Sequence, residues 1–459
     1  MIIGGGPGGY EAALVAAQLG GQVSIVDSDG LGGSAVLTDC VPSKTLIAVA
    51  EVVTMAAESG DLGVRINGQD PAPGVVHVDL GVVNARVKEL ARAQSHDVAL
   101  SMARAGVRVV VGRGRLESPG EVIVDLANGG TESLSAETVL IATGASPRIV
   151  PGAEPDGERI LTWEQVYDLP ELPSRLIVVG SGVTGAEFAS AYNALGSEVV
   201  LVSSRDRVLP GEDADAAAVL EDVFTRRGME VLSRSRASTV ERTVDGVRVV
   251  LQDGRVLEGS HCLMAVGSVP NTSGMGLEEA GVKLDERGYV ATDRVSRTSA
   301  RGVYAAGDCT GVLMLASTAA MQGRIAMRHA MGDAVVPLDL KAVSANVFTD
   351  PEIATVGWSQ VDIDADLIEA VTVHLPLATN ARAKMMGLDD GFVKLFCRPG
   401  TGIVVGGVVV APKASELVFP IAIAVDQSLT VDQLANSFTV YPSLSGSIAE
   451  AARRLHLRS

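Results

Sequence analysis

MIIGGGPGGYEAALVAAQLGGQVSIVD, residues 1 to 27, returns in altered form at residues 176 to 203 as LIVVGSGVTGAEFASAYNALGSEVVLVS. Each copy reads as an apolar strand, a glycine turn, an alanine-rich helix and a second apolar strand. Gly4, Gly6 and Gly9 form G-x-G-x-x-G, and one constant offset carries them, with Glu11, onto Gly180, Gly182, Gly185 and Glu187. The pattern is weak alone, but between a strand and a helix it marks a dinucleotide turn. The glycines let the backbone bend and approach a pyrophosphate, whose charge meets the helix N-terminus. Asp27 closes the first copy, where a carboxylate can accept from a ribose hydroxyl; the same offset places Ser203 in the second.

Two copies in one chain imply two dinucleotide sites and an α/β fold with two Rossmann-like domains. Each copy also ends in a similar strand, VLIATGASP at 139 to 147 and LMAVGSVPN at 263 to 271. These carry Thr143 and Gly144 in the first and Gly267 in the second. Turn-rich stretches at 148 to 159 and 270 to 276 read as linkers. RGVYAAGDCTG, 301 to 311, is a strand ending in Gly307-Asp308, and a helical stretch follows from Leu315 through Ala316. Asp308 suits a ligand hydroxyl or a helix cap equally. After about residue 342 the glycine fingerprints cease and short strands and helices follow. The expected division is 1–150 and 271–341 for the first nucleotide domain, 151–270 for the second, and 342–459 for an α+β C-terminal domain.

Composition narrows the function. The 459 residues carry a formal net charge of -18. That argues against nucleic acid and against an anionic membrane surface as partners. Runs such as GIVVGGVVVA are far shorter than the roughly 20 apolar residues that span a bilayer, so no integral membrane segment is expected. With a fingerprint starting at Gly4, no secretory leader is expected. Cys40, Cys262, Cys309 and Cys397 are scattered. They show neither metal-ligand spacing nor a disulfide framework, so no metal is expected and a reducing cytoplasm is.

The segment GGSAVLTDCVPSK, 32 to 44, completes the pattern. Two nucleotide units, a Cys-x-Pro-Ser-Lys segment, an Ala-Thr-Gly strand and a Gly-Asp strand, in this order, resemble the flavoprotein disulfide reductases along essentially the whole chain. The resemblance implies FAD on the first unit, a nicotinamide nucleotide on the second, and a homodimer through the C-terminal domain. It assigns Gly33, Cys40, Lys44, Thr143, Gly144, Asp308 and Ala316 to FAD, beside Gly4, Gly6, Gly9 and Asp27. It assigns Gly180, Gly182, Val183, Gly185, Glu187, Ser203, Ser204, Arg205 and Gly267 to the nicotinamide nucleotide. Lys44 and Glu187 match a family ion pair beside the flavin, placed where charge develops on reduction. Val183 stands where some members carry an aromatic gate.

The departures decide the chemistry. Ala35 stands at the family's first cysteine and Asp39 at the glycine before the second. In VYPSLSGS, 440 to 447, Tyr441 replaces the family's catalytic His and Gly446 its Glu. Thiol–disulfide exchange needs two thiols within reach and a base, so no disulfide reduction is expected. Cys40 reads first as a buried, inert thiol and second as one that tunes the flavin. Ser203, Ser204 and Arg205 replace the acid that would select NADH, so the site is expected to take NADPH, with NADH also. Electrons then pass directly from FAD to an acceptor. The first reading is an NAD(P)H:quinone oxidoreductase, with Tyr441 over the acceptor. The alternatives are a pyridine nucleotide transhydrogenase and a non-catalytic redox-sensing flavoprotein.

Overall fold

A computed structural model describes residues 1–66, 68–71 and 76–456. The chain forms two compact units. The first holds Met1–Thr45, Asn84–Arg148 and Gly267–Asp339; the second holds Leu46–Val83, Ile149–Val266 and the chain from Leu340 onward.

The first unit is built on a seven-stranded sheet, ordered Val303–Ala305, Val139–Ile141, Ile2–Ile3, Ser24–Asp27, Arg108–Ser118, Glu121–Leu126 and Thr131–Ser135. The first five strands run parallel and the last two return antiparallel. Parallel strands need crossovers that cover both faces. Helix Pro7–Gln18 is one of these, and it packs against helix Ala316–Ala330. The two backbones can approach because glycines meet: a Cβ on Gly323 would stand 2.1 Å from the Gly8 carbonyl oxygen. Ala12, Ala13, Ala16 and Ala326 fill the rest of that core with small side chains.

The second unit repeats the parallel theme. Its nucleotide sheet is ordered Glu230–Leu232, Glu198–Val202, Arg175–Val179, His261–Met264 and Ile160–Leu161. The C-terminal part is a five-stranded antiparallel sheet, with Val404–Ala411 at its centre and buried along its whole length. Helix Gly446–His456 lays Ile448, Ala451, Ala452 and Leu455 into the same core. One buried ion pair ties this sheet to the nucleotide sheet's helices. Lys394, with a side chain 4% exposed, sits 2.8 Å from the carboxylate of Asp213 and 2.7 Å from Asp215 at the start of helix Ala214–Arg226.

The unit borders fall at 148/149, 266/267 and 339/340 rather than at 150/151, 270/271 and 341/342. Residues 46–83 also belong with the second unit, where Glu51 meets Lys413 at 2.6 Å and Glu58 meets Arg227 at 2.9 Å. The helical stretch Gly33–Leu62, of mean hydropathy 1.4, passes a length-and-composition test for crossing a membrane, as the core helix of a soluble protein also does. Glu51 and Glu58 on this stretch form the ion pairs with Lys413 and Arg227.

Candidate active site

The three fingerprint glycines of each copy do three different jobs, and the jobs match. Gly4 has φ +106 and Gly180 φ +113, a region that favours glycine. A Cβ on Gly4 would lie 2.2 Å from the Ala142 carbonyl oxygen, and on Gly180 2.1 Å from that of Ala265. These glycines press the turn onto the neighbouring strand. Gly9 and Gly185 sit in the helix, where a Cβ would lie 1.9 Å from Gly4 O and 1.8 Å from Gly180 O. They let the helix close on the strand. Gly6 and Gly182 have ordinary backbone angles and space around them: nothing lies within 4 Å of a Cβ on Gly182, and only the Gly33 Cα reaches 4.0 Å from one on Gly6. They cap helices Pro7–Gln18 and Val183–Leu195 without any side-chain cap. Each turn therefore leaves a helix N-terminus open to a phosphate. The residues fit FAD on one turn and a nicotinamide nucleotide on the other.

The end of the second strand reaches back to the turn in both copies. The Asp27 carboxylate accepts from Gly5 N at 2.6 Å, and from Asp29 N and Gly30 N at 2.9 and 2.6 Å. Ser203 is the equivalent residue, and Ser181 stands where the first copy has Gly5. The two hydroxyls meet at 2.7 Å, and Arg205 N donates to Ser203 Oγ at 3.1 Å. Ser203 is fully buried and shapes the turn from inside. Ser204 and Arg205 are exposed and remain free to meet a 2′-phosphate.

The far side of the first turn carries the other FAD residues. Gly33 packs on the turn, its Cβ position 2.7 Å from the Gly6 Cα, and Gly32 N donates to Gly5 O at 2.8 Å. Thr143 and Gly144 are held by Asn271, which accepts the Thr143 hydroxyl at 2.7 Å on its carbonyl oxygen. Asn271 N donates to Gly144 O at 3.0 Å. Asp308 follows strand Val303–Ala305. Burial pushes its carboxyl up to about 6, and the charge of Asp39 adds to this. Burial also raises Asp39, against the pull of Lys44. Ala316 opens helix Ala316–Ala330, again with no side-chain cap. Thr318, in its first turn, has a buried hydroxyl with no hydrogen-bond partner among the described residues. An orphaned donor at an open helix end is suited to a ligand.

Sequence reasoning missed Gln322 and Thr318. The Gln322 side chain is buried, accepts from Gly307 N at 2.8 Å and fixes the Gly307-Asp308 corner. Two polar residues four apart, Thr318 and Gln322, on the buried face of a helix were the available signal.

Cys40 is half-buried, not fully buried as expected, while Cys262, Cys309 and Cys397 are buried; none of the four forms a disulfide. Lys44 lies on helix Cys40–Glu58. Glu187 is 3% exposed and accepts from Phe348 N at 2.8 Å within the second unit. Val183 is exposed and Gly267, at φ +90, has no atom within 4 Å of a Cβ. Tyr441 is 86% exposed, in a stretch where Phe438 and Val440 are exposed too. Among the described histidines, His261 is driven down to about 4 by burial, His329 bonds Tyr304, His374 stacks on Phe392 and His456 pairs with Asp432.

Residues 1–323 match the family model described as pyridine nucleotide-disulphide oxidoreductase, and residues 343–452 match that family's dimerisation domain. The chain is 57% identical to the NAD(P)H dehydrogenase (quinone) of Mycobacterium tuberculosis, over 99% of this chain and 93% of that protein. It is 36% identical to dihydrolipoyl dehydrogenase 2 of Haloarcula marismortui, over 98% and 95%. Among solved structures, LpdA from Mycobacterium tuberculosis is similar at a TM-score of 0.94 and 56% identity, covering 99% of both chains. The flavoprotein disulfide reductase RclA from Escherichia coli shares the fold at a TM-score of 0.86 and 24% identity.

Proposed function

The chain belongs to the pyridine nucleotide-disulphide oxidoreductase family, and on that premise we propose that it passes hydride from NAD(P)H through FAD to a quinone and reduces no disulfide. FAD, when bound, supplies the relay that accepts hydride from the nucleotide and releases it to the acceptor. The observation that carries the reading is the pairing of two open glycine turns with a dismantled thiol site. Gly6 and Gly182 keep their space, whereas Cys40 has Ala35 in place of a partner thiol and Tyr441 in place of a base.

The chain's own residues then divide the work. The turns at Gly4–Gly9 and Gly180–Gly185 hold the two pyrophosphates. Asp27, Thr143, Gly144, Asp308 and Ala316 hold the rest of FAD. Lys44 supplies positive charge where the reduced cofactor gains negative charge, and the buried Glu187 supports the nicotinamide side. Ser204 and Arg205 meet the 2′-phosphate of NADPH, and NADH binds through the remaining contacts. Val183 and Gly267 leave the nicotinamide region open. The chain acts as a homodimer, supported by the match to the dimerisation domain and by the exposed Phe438, Val440 and Tyr441. Tyr441 lies over the acceptor, where its ring can stack and its hydroxyl can donate. Four free cysteines suit a reducing cytoplasm.

The test is steady-state turnover with NADPH or NADH against a naphthoquinone, an NAD⁺ analogue, lipoamide and glutathione disulfide. Quinone turnover without disulfide turnover supports the reading. Robust lipoamide or glutathione disulfide reduction refutes it, and turnover with the NAD⁺ analogue alone transfers the assignment to transhydrogenation.

A further inference from the structure

The two nucleotide copies differ at one strand end. In the first copy Val26 pairs with Val110 on strand Arg108–Ser118, and that strand runs on into a hairpin. Two residues past Val110 stands Gly112, buried, where a Cβ would lie 2.4 Å from the Asp125 carbonyl oxygen. No side chain fits there. In the second copy Val202 pairs with Leu232, the last residue of strand Glu230–Leu232, and the position that matches Gly112 is Arg234.

The chain turns directly after Leu232. Ser203 N donates to Leu232 O at 2.9 Å, Ser235 N to Ser203 O at 2.7 Å and Arg234 N to Arg205 O at 2.6 Å. Backbone bonds thus hold Arg234 beside Arg205, although the two are far apart in the chain. Arg234 has φ +52, the left-handed region that a residue other than glycine enters at a cost and that gathers at functional sites. Both arginines are exposed, and among the described residues neither guanidinium is paired with a carboxylate. Arg255 also reaches this turn, donating to Ser235 Oγ at 2.6 Å, but it is paired with Asp253 at 2.7 Å. The adjacent carboxylate in the chain, Asp206, is exposed. In a chain of net charge -18, two neighbouring unpaired guanidiniums on a fixed backbone suit an anion between them.

We propose that Arg234 is a second arginine for the 2′-phosphate of NADPH, closing on it from the neighbouring strand end and so helping to decide nucleotide choice; this rests on the reading of Ser204 and Arg205 above. A dinucleotide lies across the carboxyl ends of parallel strands, with its adenosine ribose at the end of the second strand of the unit, here Glu198–Val202. Strand Glu230–Leu232 is the next and last strand of the sheet on that side. The turn after it therefore borders the ribose 2′ position. A phosphate presents more acceptor oxygens than one guanidinium fork can pair, so a second fork adds charge and fixes orientation. NADH has no 2′-phosphate and gains nothing from Arg234.

Adenosine 2′,5′-bisphosphate and 5′-AMP differ only in the 2′-phosphate. Both are titrated into the holoenzyme by calorimetry, and NADPH and NADH are compared in kcat/KM with a naphthoquinone. The variants are Arg234→Gln, Arg234→Lys and Arg234→Gly, the last suited to the left-handed backbone and so expected to keep or raise Tm. In the Gln and Gly variants the bisphosphate should bind about tenfold more weakly or worse, as the loss of one charge-assisted contact implies, while 5′-AMP changes by less than about twofold. The ratio of kcat/KM for NADPH to that for NADH should fall by a similar factor. Lysine should recover part of the loss, and the salt dependence of bisphosphate binding should flatten in the Gln variant. Unchanged bisphosphate affinity in the Gln and Gly variants, where Arg205→Ala lowers it, overturns this proposal alone. Equal weakening of bisphosphate and 5′-AMP also overturns it, since Arg234 would then act on the fold of the turn. A parent protein that binds the bisphosphate no better than 5′-AMP, with Arg205→Ala altering neither, overturns the reading of Ser204 and Arg205 and this proposal with it.

Discussion

Replacing Gly182 by alanine separates binding from folding. Its backbone angles, φ -72 and ψ -173, suit any residue, and nothing lies within 4 Å of the added methyl. Alanine at a compatible position stabilises a chain by about 0.4–1 kcal/mol through the unfolded state. The fold should therefore survive with an equal or slightly higher Tm. The methyl does, however, occupy the space that a pyrophosphate needs at the N-terminus of helix Val183–Leu195. Losing one charge-assisted contact there costs about 1.5–3 kcal/mol. KM for both NADPH and NADH should then rise roughly tenfold to a hundredfold. FAD content, read from the ratio of flavin to protein absorbance, should not change. Gly6→Ala is the mirror experiment: flavin retention falls while the nucleotide turn is untouched. Gly185→Ala is the opposite control, because a Cβ 1.8 Å from Gly180 O cannot be accommodated, and it should lower Tm sharply. Gly182→Ala with unchanged KM for both nucleotides, or with lost flavin, would refute the assignment of the two turns.

Arg205→Ala should raise KM for NADPH by about tenfold or more while leaving NADH nearly unchanged, since one contact to the 2′-phosphate is lost; equal effects on both nucleotides would remove Arg205 from that role. Ser203→Ala, in contrast, should act on stability and on both nucleotides alike, because its hydroxyl faces Ser181 inside the turn. Lys394→Met leaves Asp213 buried without its cation and should lower stability by about 3–5 kcal/mol in urea denaturation. An unchanged midpoint would show that the pair is neutral in effect. Tyr441→Ala should slow quinone turnover while single-turnover flavin reduction by NADPH keeps its rate; slowed flavin reduction would move Tyr441 off the acceptor side.

The sequence by itself determined what repeats and what is missing. Glycine at Gly4, Gly9, Gly180 and Gly185 is a steric requirement that no other residue meets, so the two nucleotide turns and their strand–helix–strand context could be read directly. The lost chemistry at Ala35, Tyr441 and Gly446 was equally legible, because a thiol or a base is either present or not. What only the tertiary structure decided concerns direction and neighbours. Ser203 and Arg205 are two residues apart, yet one turns into the protein and the other to solvent, since the strand ends at Val202 and the chain turns, with Arg205 N donating back to Ser203 Oγ. Residues 46–83 follow directly on the flavin segment but pack with the second unit through Glu51 and Glu58. Lys394 and Asp213 are far apart in the chain, and only the packing of the second unit brings them to 2.8 Å. Local spacing encodes turns and motifs; proximity between distant charges arises from how the strands are arranged, and a single sequence does not carry that arrangement in its spacing.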